Sequence, residues 1–70
     1  MIKSIVIKFD ADADVYYTAS SDIPGFALES ESLETLINRC KPAALELLEL
    51  NGETTDASIT LRFTYDCKLL

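Results

Sequence analysis

The sequence predicts an α+β domain of order β-β-β-α-β, and three observations carry that reading. Strand-like runs rich in β-branched and aromatic residues fill the first thirty positions and return after Ile59. Between them, from Leu33, apolar residues recur every three or four positions. Pro24-Gly25 and Asn51-Gly52 punctuate the segments. Seventy residues make one domain, spanning 1–70. A chain this short buries only about 60% of its unfolded surface, so a stability of about 5 kcal/mol is expected. A hydrophobic content of 49% argues against disorder and leaves apolar surface to meet a partner.

The first strand runs from Ile2 to Phe9, with Ile5, Ile7 and Phe9 sharing one face. Asp10, Asp12 and Asp14, alternating with alanines, interrupt it with residues depleted in strands, and Val15 to Ser20 resumes as the second half of a hairpin. Ser21 to Gly25 is the strongest turn signal. Asp22 opens it, Pro24 presets φ for a turn's second position, and Gly25 is free to take a positive φ. A third strand is expected from Phe26 to Ser30.

The helix places Leu33, Leu36, Ile37, Cys40, Ala44, Leu47 and Leu48 along one face. Ser32 is its expected N-cap, Glu34 complements the positive end of the dipole, and Gly52 is placed to end it in a left-handed conformation. Pro42 removes one helical hydrogen bond and crowds the carbonyl of Asn38, which predicts a kink or break near residues 38 to 42. After a polar connection over 53–57, Ile59, Leu61, Phe63, Tyr65, Cys67 and Leu69 alternate with Thr60, Arg62, Thr64, Asp66 and Lys68 as a long fourth strand.

Hairpin geometry makes the first three strands antiparallel. A right-handed crossover then sets the fourth beside and parallel to the first, giving a four-stranded mixed sheet of order 3-2-1-4. One helix covers one face. The other face, carrying Ser4, Val6, Lys8, Thr60, Arg62 and Thr64, is left open, and Arg62 and Lys68 protect the long fourth-strand edge only modestly. Dimerisation is the expected consequence.

Six basic against twelve acidic residues give a net charge of −6, the wrong sign for direct nucleic-acid binding. No apolar run is long enough for a membrane span, and the N-terminus lacks the features of a signal peptide, so a cytoplasmic protein is expected. Cys40 and Cys67 fall within helical and strand patterns, where a thiol serves as a small hydrophobe. Without histidine, the common hydrolase triads lose their general base; with Gly25 and Gly52 as the only glycines, no phosphate-cradling loop exists. Asp10, Asp12 and Asp14 match the opening of a calcium loop, but Val15 stands where that loop needs glycine and Ser21 where it needs glutamate. Asp10, Glu34 and Asp66 fit two-metal nuclease chemistry by residue type alone. No catalytic residue, metal or cofactor is expected.

Charge distribution says more. From Asp10 through Glu34 there are seven acidic residues and no basic one, a run suited to docking a basic protein. Tyr16 and Tyr17 point to opposite faces of their strand, so one is placed to anchor an interface. The expected partner-binding residues are therefore Asp10, Asp12, Asp14, Tyr16, Tyr17, Glu29 and Glu31.

The succession Asp22-Ile23-Pro24-Gly25-Phe26 and then Ser32-Leu33-Glu34-Thr35-Leu36 resembles the HicB-like antitoxin family, over about residues 5–65. The continuation from Ala44 to Gly52, with Pro42 just upstream, is similar to a stand-alone branch of uncharacterised domains in that superfamily. The resemblance implies a partial ribonuclease H-like fold without nuclease activity, belonging to a toxin-antitoxin system in which it masks a small basic ribonuclease toxin. Relatives of this kind usually carry a C-terminal DNA-binding segment. The present sequence stops at Leu70, soon after the fourth strand, so operator binding is not carried over. Pro42 also departs from the commoner antitoxin pattern.

Overall fold

The computed structural model describes residues 1–56, 58–67 and 69. Five elements follow one another: β1 (Ile2–Asp10), β2 (Val15–Ser21), β3 (Glu29–Ser30), α1 (Leu33–Leu50) and β4 (Thr60–Tyr65). The strands form a single sheet of order β3-β2-β1-β4, in which β1 pairs antiparallel with β2 and parallel with β4. The predicted class and strand order are both observed.

Alternation decides which residues fill the core. Ile5 and Ile7 on β1 face α1 and are buried, with Leu61, Phe63 and Tyr65 beside them on β4. The helix contributes Leu36, Cys40, Ala44 and Leu48, one buried stripe at the predicted spacing. A register shift between Val6 and Ile7 inserts Ala19 as an extra residue of β2, so Tyr16 and Thr18 lie on the helix side.

The Pro24-Gly25 turn closes one end of the core. Phe26 N–H donates to the Ile23 carbonyl at 3.2 Å and Gly25 sits at φ 79°, the geometry of a type II turn. The turn folds Ile23 and Phe26 inward, and both are buried. Asp22 secures it to β1 by accepting from the Ser4 amide at 2.8 Å.

Three expectations are corrected. The third strand has two residues rather than five, because Thr18 takes over the backbone of Leu28. The Thr18 amide donates to the Leu28 carbonyl, and its hydroxyl oxygen accepts from the Leu28 amide at 2.9 Å. The helix does not break at residues 38–42; it is continuous through Pro42, whose ring lies on the exposed side next to exposed Asn38 and Lys41, where water can satisfy the unmatched carbonyl. The fourth strand ends at Tyr65. Beyond it Cys67 and Leu69 are exposed, so no burial favours further pairing, and Lys68 lies outside the described residues.

Both helix caps are as their residues require. The Ser32 hydroxyl accepts from the Thr35 amide at 3.3 Å. At the other end Gly52 at φ 78° donates to Glu49 and Glu53 donates to Leu48, a Schellman motif. Glu53 then pairs with Lys3 at 3.1 Å, tying the helix exit to β1.

Cys40 is fully buried, and desolvation raises its thiol above the ordinary cysteine range, with Arg39 opposing weakly. Cys67 is exposed. One thiol should therefore react with Ellman's reagent in the native protein and two in denaturant; rapid native reaction of both would contradict the packing of Cys40.

Candidate partner-binding surface

The topology gathers charge at one end of the sheet. β1 finishes there at Asp10, β2 starts there, β3 leaves it through Glu31, and α1 begins there with Glu34 in its first turn. Asp10, Asp12, Asp14, Glu29, Glu31 and Glu34 are all exposed. The seventh acid of the run, Asp22, lies at the opposite end, held against Ser4. The acidic stretch therefore folds into a six-residue pole plus one structural carboxylate.

Members of the pole differ in freedom. Asp10 accepts from the amides of Asp12 and Ala13, at 3.0 and 3.2 Å, and so caps the hairpin loop. Asp14 adopts φ 57°, a left-handed conformation that aspartate tolerates better than most residues. Asp12 and Glu31 project without a described side-chain bond of this kind, and their charges are the ones most available to a partner.

Aromatic side chains flank the pole. On the helix side Phe9, Tyr16 and Tyr65 form a cluster, with ring centroids 4.9 Å apart for Phe9 and Tyr16 and 5.6 Å for Tyr16 and Tyr65. Phe9, expected in the core with Ile5 and Ile7, is 41% exposed. Desolvation, followed by the neighbouring Tyr16 and Cys67, raises the Tyr65 phenol above its ordinary range, so it remains a neutral donor at physiological pH.

Beside β2 and β3 lies a hollow of about 570 Å³, lined in part by Asp10, Tyr17, Leu28, Glu29 and Arg39. Tyr17 borders this hollow while Tyr16 joins the aromatic cluster, as their opposite facing requires. Arg39 reaches across from α1 and donates to the Glu29 carbonyl at 3.0 Å. It places a cation beside the acidic pole. Its participation is not readable from sequence, because it depends on where the helix passes over β3.

Among the described residues, no three of Cys, Asp and Glu are grouped so as to hold a metal ion, and Asp10, Glu34 and Asp66 form no such set. No helix, among the described residues, is long and apolar enough to cross a membrane.

Comparison places this geometry within a family. Residues 2–68 match the family described as a domain of unknown function, DUF1902. The chain belongs to the DUF1902 family. This DUF1902 domain is also similar to the crystal structure of a hypothetical protein from the extremely thermophilic bacterium Thermus thermophilus, at 30% identity and a TM-score of 0.87. The likeness covers 100% of this chain and 99% of the other. No curated protein matches the chain.

Proposed function

We propose that this DUF1902 domain is a non-catalytic protein-binding module of the HicB-like antitoxin type, whose acidic pole docks a small basic ribonuclease toxin and masks it. The observation that carries the reading is the convergence of six exposed acidic side chains with the exposed Phe9 ring and half-buried tyrosines at one end of the sheet. Acidic charge steers a basic partner toward that end and sets its orientation, while rings such as Phe9 and Tyr17 supply the apolar anchors that charge alone lacks. Arginine and lysine side chains of the partner would find both a carboxylate and an aromatic face there. The resemblance of the Asp22-to-Phe26 turn and the Ser32-to-Leu36 helix start to HicB-like antitoxins names the kind of basic protein.

Catalysis is not part of this proposal. The chain has no histidine, and among the described residues no three acidic or thiol side chains are grouped so as to hold a metal ion. The test is co-expression of the chain with the protein encoded beside it. Copurification at low salt, loss of the complex at high salt and neutralisation of the neighbour's ribonuclease activity are expected. A neighbour that is not basic, or one whose activity is unchanged by a stoichiometric amount of this chain, would sink the antitoxin reading.

A further inference from the structure

At the far side of the sheet from β3, the outer edge and apolar margin of β4 are both left without a neighbouring strand among the described residues. The Thr60 amide donates to the Met1 carbonyl at 2.8 Å. In a parallel ladder alternate residues bond the neighbour, so Thr60, Arg62 and Thr64 turn their backbone groups toward β1, and Leu61, Phe63 and Tyr65 turn theirs outward. The side chains of those same three residues lie on the helix side. There α1 sits nearer β2 and β3 than β4. A groove of about 340 Å³ remains between helix and strand, floored by Ile59, Leu61 and Phe63 and walled by Leu45, which is 49% exposed. The opposite edge is protected differently: β3 has two residues, and Arg39 occupies the Glu29 carbonyl.

We infer that this margin is the seat of a second copy of the chain, with β4 pairing antiparallel to β4 of that copy about a two-fold axis through Phe63. Two features of the strand and one of the whole chain select this occupant and this register. Leu61, Phe63 and Tyr65 are symmetric about the axis, so Phe63 meets its own copy, Leu61 meets Tyr65, and each outward amide and carbonyl finds a partner. On the open face Arg62 lies opposite Thr64 of the second copy, with Asp66 on one diagonal and the second Arg62 on the other, so attraction and repulsion there offset each other; moving the axis to Arg62 would oppose two arginines directly. Finally, each chain carries a net charge of −6, and antiparallel pairing sends the two acidic poles to opposite ends of the joined sheet. The inference is independent of the toxin-binding proposal, because it leaves the acidic residues, Phe9 and Tyr17 uncovered and engages only Tyr65 of the flanking aromatic cluster.

Thr64 supplies a test whose two arms move in opposite directions. It is exposed on the open face, away from the helix. Thr64→Lys sets a cation opposite Arg62 twice across the axis, and Thr64→Glu sets an anion there. By sedimentation equilibrium the wild-type chain is expected to be dimeric at about 50 µM. The lysine variant should dissociate about tenfold more readily and the glutamate variant about tenfold less, as two symmetric cross-strand pairs require. Loss of fold, followed by circular dichroism, would shift both variants the same way and is thereby distinguished. A chain that stays monomeric to about 1 mM, or a dimer whose dissociation constant is the same in all three proteins, would overturn the assignment.

Discussion

Leu36→Ala should remove most of the stability of this domain. Leu36 is fully buried on α1 and belongs to the same core cluster as Ile5 and Ile7 of β1. Truncating a buried leucine costs about 3 kcal/mol, through lost transfer energy and the cavity left behind. Against a total of about 5 kcal/mol for a domain of this size, roughly 2 kcal/mol would remain, so a few per cent of the molecules would be unfolded at equilibrium. Urea denaturation is expected to show a midpoint reduced by more than half with little change in slope. Leu45→Ala provides the comparison, since Leu45 is half-exposed on the same helix and its truncation should cost under about 1 kcal/mol. Equal losses at the two positions would mean that the helix presents a different face to the sheet.

That contrast also shows what kind of information the sequence holds. Periodicity locates a face, so the strand order and the stripe Leu36, Cys40, Ala44 and Leu48 can be read directly. It does not say how far the opposite layer extends. Phe9 shares the face of Ile5 and Ile7 but is 41% exposed, because the helix lies nearer β2 and β3 than the β1–β4 side, and the alternation that continues past Tyr65 does not continue as a strand. β3 is shorter than its residue types suggest because the Thr18 hydroxyl bonds the backbone of Leu28, a side-chain substitution for a ladder rung that leaves no trace in periodicity. Pro42 signals a break because its cost is local. The helix passes through it because the packing of Leu36 and Cys40 on one side and Ala44 and Leu48 on the other holds both halves to one sheet.

The candidate site divides in the same way. Residue types along the run from Asp10 to Glu34 are legible, but their grouping requires the topology. Order 3-2-1-4 brings the ends of β1 and β3 together with the start of α1, and it sends Asp22 to the far end as a turn fastener. Spacing along the chain therefore overstates the patch by one carboxylate and omits Arg39, whose position depends on the helix crossing.

Asp12→Lys should weaken binding to a basic partner far more than Glu46→Lys. Each substitution changes the net charge by +2, each replaces an exposed acid, and neither side chain enters a described hydrogen bond that holds the fold. They differ in place: Asp12 is at the tip of the acidic pole, whereas Glu46 lies in the later half of α1, toward the opposite end of the domain. If association depended on overall charge alone, the two variants would lose affinity equally. If the partner docks at the pole, Asp12→Lys replaces an attraction by a repulsion at the contact, and together with Glu31→Lys it should reduce affinity by on the order of 30-fold. Much of the effect should appear in the association rate, and it should shrink as added salt shortens the Debye length from about 10 Å at 0.1 M to about 3 Å at 1 M. Phe9→Ala and Tyr17→Ala probe the other component: loss of an aromatic anchor should speed dissociation and persist at high salt, since buried apolar contact is not screened. Kinetic binding measurements at two salt concentrations separate these contributions, and a partner equally sensitive to Asp12→Lys and Glu46→Lys would place its docking surface somewhere other than the acidic pole.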